Sequence, residues 1–401
     1  MSLGEFKRAG HWPTLMCSLL YFDTSFMVWT LLGALGVFVA QAFHLTPGQK
    51  GLLVAIPLLG GSILRIILGV ATDHFGPRRV GIAGLFLTLV PLCWGWLHSA
   101  SIADLAAIGL MLGVAGASFA VALPLTSRWY PPQFQGLALG IAGAGNSGTV
   151  LSTLFAPRLA EHFGWRAVFG FAALPIAFTL IVFWLFAKES PNRPPAKSLK
   201  NYLELLKEAD AWWFNGFYMV TFGGFVGLAS FLPIFFFDQY GVTRIQAGSF
   251  AALCVFAGSL LRPLGGLLAD RFGGIRVLSV LYVIIASLLL GLSTLPALPV
   301  TVAVLFLTMA CLGIGNGSVF QLVPQRFGKE IGVATGVVGA AGGLGGFFLP
   351  TVLGSLKGVE GTYAAGLLLF ALVAAAAALA LSRVKHGWRA EWARADLDVA
   401  F

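Results

Sequence analysis

The sequence predicts an all-α membrane protein of twelve transmembrane helices in two six-helix pseudo-symmetric halves. Three observations carry that prediction. Of 401 residues, 58% are apolar and only 10% are charged, whereas a soluble domain carries about 25% charged residues. Apolar runs long enough to cross about 30 Å of hydrocarbon recur along the whole chain. The third is an internal repeat. Gly60-Gly61-Ser62-Ile63-Leu64-Arg65, followed by Gly69, Asp73, Gly76 and Arg78-Arg79, returns as Gly258-Ser259-Leu260-Leu261-Arg262, followed by Gly266, Asp270, Gly273 and Arg276. Both copies keep eight residues from Arg to Asp. A parallel repeat of this kind places two equivalent half-bundles around an axis along the membrane normal.

Span length and hydropathy place the helices at roughly 15–40, 51–72, 80–97, 105–127, 136–157 and 167–187, and then at roughly 212–237, 247–269, 277–294, 299–324, 332–355 and 362–382. The first run is too long for a signal-peptide core and no small-residue cleavage pattern follows it, so it is expected to be retained. The chain divides into an N-terminal half (1–187), a linker (188–211), a C-terminal half (212–383) and a polar tail (384–401). The linker opens with Lys188-Glu189-Ser190-Pro191-Asn192-Arg193-Pro194-Pro195 and then shows helical spacing at Leu199, Tyr202, Leu203 and Leu206. That pattern predicts a break followed by a short amphipathic helix on the cytoplasmic face.

The formal net charge is +9, which raises a nucleic-acid reading, but the positions of the charges oppose it. Most Lys and Arg, including Lys7, Arg8, Arg78, Arg79, Arg128, Lys188, Arg276, Arg326 and Arg383, fall at one set of helix ends, against Lys50, Arg158, Arg166, Arg244 and Lys357 at the other. This is the positive-inside asymmetry of a multi-pass membrane protein, with both termini expected to be cytoplasmic. The partners expected are the lipid bilayer and a small ligand, with no nucleic acid, and the chain is expected to be a monomer. Cys17, Cys93, Cys254 and Cys311 are scattered within predicted helices and form no CxxC pair, so neither a disulfide framework nor a metal site is expected. The chain has no Gly-x-Ser-x-Gly, no phosphate loop and no His/Cys cluster. An enzyme and a cofactor are therefore not expected.

Arg65 and Arg262 are the leading candidates for a binding site. Asp73 and Asp270 mark the ends of their helices, and eight residues of rise put each Arg about 12 Å inside. A guanidinium stays charged there at a cost of about 2.5–3.5 kcal/mol. Asp23 is the only other acid deep in a span and cannot neutralise both, so a small anion is expected to complete the pair. The second repeat is glycine-rich. Gly136 to Gly148, with Gly140, Gly143, Gly145, Asn146 and Ser147, corresponds to Gly332 to Gly346, with Gly336, Gly339, Gly342, Gly343 and Gly345. Small residues at this spacing let helices approach closely. Here they also bring backbone and the Asn146 amide to a ligand. A third match sets Gly113-Val114-Ala115-Gly116-Ala117-Ser118-Phe119 beside Gly313 to Phe320, and Tyr218 and Phe222 lie one turn apart in the seventh span. At the helix ends, Asp73, Arg78, Arg79, Asp270 and Arg276 are candidates for gating, because topology alone would need only the basic residues. Asp23 is a candidate for proton coupling.

These motifs resemble the major facilitator superfamily, whose general mark is the twice-present Gly-x-x-x-Asp-x-x-Gly-x-Arg block. Within it, the chain is similar to the nitrate/nitrite porter family over nearly all its length. The specific resemblance lies in an Arg in the second and eighth spans, in Gly140-Ile141-Ala142-Gly143-Ala144-Gly145-Asn146-Ser147-Gly148 with its counterpart from Gly336 to Gly345, and in the first-helix segment Ser25 to Gly36. The resemblance implies the major facilitator fold and secondary transport of nitrate and/or nitrite by alternating access. Nitrate uptake with protons is the first expectation, and nitrate/nitrite exchange or carriage of another small monovalent anion such as formate the alternatives. An anion-binding sensor is a more distant reading, since no large soluble output domain is present. It further implies that Arg65 and Arg262 grip the anion, that Asn146 adds a hydrogen bond, and that Tyr218, Phe222 and Phe119 line the site; Gly143 and Gly339 join these candidates on the separate ground of close helix approach. The long central insertion of some eukaryotic members is absent, which suits a compact prokaryotic type.

Overall fold

A computed structural model describes residues 3–191, 196–327 and 331–394. The centre of the expected linker break (192–195, with Arg193), Lys329 and the last residues of the expected tail (395–401) lie outside them. Among the described residues there are helices and no strand. Ten helices among the described residues are long and apolar enough to cross a membrane: Pro47–Phe75, Pro77–His98, Ile102–Ser127, Trp165–Phe186, Ala209–Tyr240, Arg244–Phe272, Gly274–Leu292, Leu298–Arg326, Gly332–Glu360 and Ala364–Trp388. The other two expected spans, the first and the fifth, are present as interrupted rods. The first runs Trp12–Trp29, Leu31–Ala34 and Gly36–Ala42. Its first break falls where the Thr30 hydroxyl bonds back to the Phe26 carbonyl and Gly33 abuts the backbone of Ser230. The fifth runs Pro132–Gly143, a 3₁₀ turn Ala144–Ser147, and Gly148–Phe163.

The internal repeat reappears as identical helix punctuation. Thr46 and Thr243 start the second and eighth spans with capping boxes closed by Gln49 and Gln246, each satisfying two otherwise orphan donors. Gly76 and Gly273 end those spans at φ 89° and 87°, a backbone region that glycine enters without strain.

The two halves meet along the second and eleventh spans and along the fifth and eighth. At the end away from the linker the contact is tight. Gly51 lies against the Pro350 carbonyl and Gly354, and Gly248 against Thr153 and Pro157. Two ion pairs bridge the halves there, Lys50–Asp238 at 2.7 Å and Arg244–Glu161 at 3.1 Å. Tyr363 donates to Asp238 and Arg244 to Gln41. At the linker end the same helices part. Gly136, Gly140 and Gly143 of the fifth span and Gly266 of the eighth face open space. The cleft between the halves is thus closed at one end and open at the end that carries the linker.

A short linker helix, Leu199–Leu205, packs into the open end. Its Tyr202 ring reaches both Gly69 of the second span and Gly336 of the eleventh. Burial, reinforced by the Asp73 carboxylate, pushes the Tyr202 phenol up to about 12. It therefore stays a neutral donor at any physiological pH.

Candidate functional site

Arg65 and Arg262 come together at the middle of the interface between the halves, 1% and 9% exposed. Among the described residues no carboxylate bridges either one, so each remains an uncompensated cation. Arg65 is held rigidly by backbone. Its Nε donates to the Gly116 carbonyl at 3.1 Å and its Nη1 to the Gly339 carbonyl at 2.6 Å. These bonds tie the second span to the fourth and, across the halves, to the eleventh. Ser62, one turn away, donates to the Ala340 carbonyl. Two atoms are left over: Nη2 of Arg65 and Nη1 of Arg262 are buried without a partner. Such donors are costly to bury unless a ligand completes them.

Aromatic rings form the walls. The Arg65 guanidinium carbon lies 4.9 Å from the Phe222 centroid, 5.3 Å from Trp29 and 5.7 Å from Phe119. Arg262 lies 5.5 Å from Phe119 and 5.7 Å from Phe320. Phe119 thus stands between both cations, and the ring faces supply part of the compensation that carboxylates would otherwise give. Tyr218 stacks on Phe222 at 5.0 Å and 5° and meets Phe320 edge-on at 4.8 Å. The Tyr218 ring is fully buried beside both arginines. A five-residue π turn, Met219–Gly223, interrupts the seventh span here. It sets the register in which Tyr218 and Phe222 share a face.

The structure distributes the other candidates as follows. Asn146 is 1% exposed, and neither side-chain atom has a partner. Its backbone carbonyl accepts from Ser259, one turn from Arg262. Gly339 touches the site through its carbonyl. A Cβ there would meet Arg65 Nη1 only at 3.6 Å, and one at Gly143 would meet nothing. The close approach expected at those two glycines is instead made by their neighbours. Gly145 and Gly148 pack on the Phe22–Asp23 backbone, and Gly345 packs on Met219. Asp23 stands apart from the arginines. It accepts from the Ser147 hydroxyl at 2.7 Å, so it faces the fifth span.

The helix-end candidates are not equivalent in the two halves. Asp73 pairs with Arg128 at 2.8 Å. Arg78 turns away from Asp73. Its backbone N–H meets Glu189 and its guanidinium the Ala187 and Trp184 carbonyls. In the C-terminal half, Arg326 binds Asp210 and Glu208, and Asp270 is exposed with no ion pair among the described residues. Arg79 has no ion pair among the described residues either.

Sequence reasoning missed Trp29, whose indole N–H donates to the Pro57 carbonyl at 2.7 Å beneath Arg65. It also missed Asn316, a second fully buried amide with both atoms unpartnered. Trp29 carried no signal beyond a general aromatic richness. Asn316 did carry one: an amide set between glycines in Gly315-Asn316-Gly317.

The profile of the Major Facilitator Superfamily matches residues 17–350. The chain is 35% identical over 359 residues to the nitrite extrusion protein of Bacillus subtilis (strain 168), covering 88% of this chain and 89% of that protein. It is 36% identical over 357 residues to the probable nitrate/nitrite transporter NarK2 of Mycobacterium tuberculosis (strain ATCC 25618 / H37Rv), covering 87% and 90%. It is 32% identical over 372 residues to the probable nitrate transporter NarT of Staphylococcus haemolyticus (strain JCSC1435), covering 92% and 95%. The crystal structure of a bacterial homolog to the human lysosomal transporter Spinster, inward-facing and occupied, shares the fold with a TM-score of 0.67 at 19% identity, covering 92% of this chain and 96% of that one. The repeated motifs, the helical architecture and these relatives together show that the chain belongs to the Major Facilitator Superfamily and, within it, to the nitrate/nitrite porter family.

Proposed function

We propose that the protein is a secondary active transporter that moves nitrate and/or nitrite across the prokaryotic inner membrane by alternating access, with both termini cytoplasmic. The observation that carries this reading is the pair of buried guanidiniums that lack a carboxylate and keep unpartnered N–H groups inside an aromatic box. A small planar monovalent anion supplies the missing acceptors. The ring faces of Phe119 and Phe222 admit a flat ion and exclude a tetrahedral one, and two fixed positive charges repel cations. On the positive-inside assignment the linker end is cytoplasmic, and the conformation described is open to the cytoplasm.

The membrane potential opposes anion entry by about 2.3 kcal/mol per charge per 100 mV. Accumulation therefore needs more than one proton per nitrate, and on this reading Asp23, an acid within the first span, takes part in carrying them. Exchange of nitrate for nitrite is the second reading. The observation favouring it is that Asp23 is engaged with Ser147 and is not at the arginines, whereas exchange needs no titrating group. Purified protein in liposomes decides between them. An imposed proton gradient drives nitrate accumulation in the first case, and only an opposing nitrite gradient does so in the second. Absence of flux under both gradients rejects the transporter reading altogether.

A further inference from the structure

We propose that Asn316 is an anion-contacting residue whose amide N–H reaches the oxygen of nitrate that the two arginines leave free, and that it thereby sets preference between nitrate and nitrite. The proposal rests on the nitrate/nitrite reading above and deepens it.

The placement is fixed by helix geometry. Asn316 lies in Leu298–Arg326 one turn before Phe320, so the two share a face. Phe320 touches Arg262, Tyr218 and Phe119. On either side of Asn316, Gly315 packs on Thr221 of the seventh span and Gly317 on the Arg262 backbone of the eighth. The amide is therefore level with Arg262 and between the spans that supply Arg262 and Tyr218. It is 1% exposed, and neither Nδ2 nor Oδ1 has a partner. Nearby buried polar groups in the same helix behave otherwise: Ser318 donates to the Gly265 and Ile314 carbonyls. An orphaned amide at such a depth points to a partner that comes and goes.

The donor supply makes the same point. Arg65 has spent Nε and one Nη1 hydrogen on the carbonyls of Gly116 and Gly339. The site therefore does not offer two free forks for the three oxygens of nitrate. Two buried amides, Asn146 from the first half and Asn316 from the second, supply the rest. Nitrite has two oxygens and nitrate three, so a donor for the third oxygen favours nitrate.

The test uses the full chain with Asn316→Leu, a change of similar volume that removes an unpartnered amide. Nitrate and nitrite KM are measured in liposomes, together with melting in detergent with and without each anion. The expected result is a nitrate-to-nitrite KM ratio raised about tenfold, a Tm without anion equal to or above that of the parent, and a smaller nitrate-induced rise in Tm. Asn316→Ser, which keeps one donor, should recover part of the ratio and supplies the same measurement if the Leu variant does not reach the membrane. A ratio unchanged in both variants, with both anions weakened alike, assigns Asn316 to packing and overturns the proposal while leaving the transporter reading intact. A parent protein that neither moves nor is stabilised by nitrate overturns both.

Discussion

Arg65 makes clear why charge alone does not define this site. Its guanidinium serves two backbone carbonyls from different spans and still presents Nη2 to the cleft. A lysine ammonium is compact and cannot span those three directions. Arg65→Lys and Arg262→Lys are each expected to lower nitrate uptake at least about tenfold while the protein still reaches the membrane. Uptake per molecule, normalised to membrane content, checks this, and near-parental uptake by either variant removes the clamp. Asp23→Asn separates the coupling modes. If Asp23 carries protons, accumulation driven by a pH gradient disappears while nitrate/nitrate exchange survives. Persistence of the former makes Asp23 structural. At this scale the sequence made the two arginines legible, because an arginine within an apolar run is conspicuous. It was a poor guide to Trp29 and Asn316, whose roles follow from which ring or cavity a helix face meets.

Among the helices, the glycine-rich fifth and eleventh spans divide into two kinds of position. Gly345 packs directly on the Met219 backbone, where neither partner can yield. Gly143 faces open space at the linker end. Gly345→Leu is therefore expected to destabilise the fold by more than about 1–3 kcal/mol and to lower the yield of folded protein. Gly143→Leu should leave Tm in detergent unchanged yet abolish transport, because the fifth and eighth spans can no longer close at that end. A Gly143→Leu variant that transports normally shows that this cleft does not close during the cycle. The repeat made both glycine blocks legible in the sequence. Only the packing distinguishes glycines that are contacts now from those that become contacts in another state. The interruptions in the first and fifth spans were not legible, since local backbone bonding decides them and hydropathy is indifferent to it.

For the molecule as a whole, the closed and open ends of one cleft make a geometric prediction. In a background with Cys17, Cys93, Cys254 and Cys311 replaced, cysteines at positions 48 and 355, where a Cβ at 48 lies 4.0 Å from the Ser355 Cα, should cross-link readily in this conformation and arrest transport when they do. Cysteines at 140 and 266 should cross-link only when the opposite state is populated. Efficient cross-linking of the second pair but not the first, in the absence of ligand, would show that the resting protein favours the opposite state. The sequence foretold the two-fold architecture because duplicated motifs betray duplicated structure, but it could not say which end of the cleft is shut. That choice depends on small differences between inter-half contacts such as Lys50–Asp238 and Arg244–Glu161. The π turn at Met219–Gly223 has a consequence for ancestry. Such a turn is an α-helix carrying one surplus residue, and deleting that residue would swing everything before it by about 100° about the axis. Tyr218 would leave the face it shares with Phe222. The first span, its counterpart in the other half, is interrupted elsewhere, after Trp29 and after Ala34. If one six-helix ancestor was doubled to make this chain, the copies have since gained or lost residues inside their membrane spans. The leading helix of each half is then where an alignment of the two copies must open a gap.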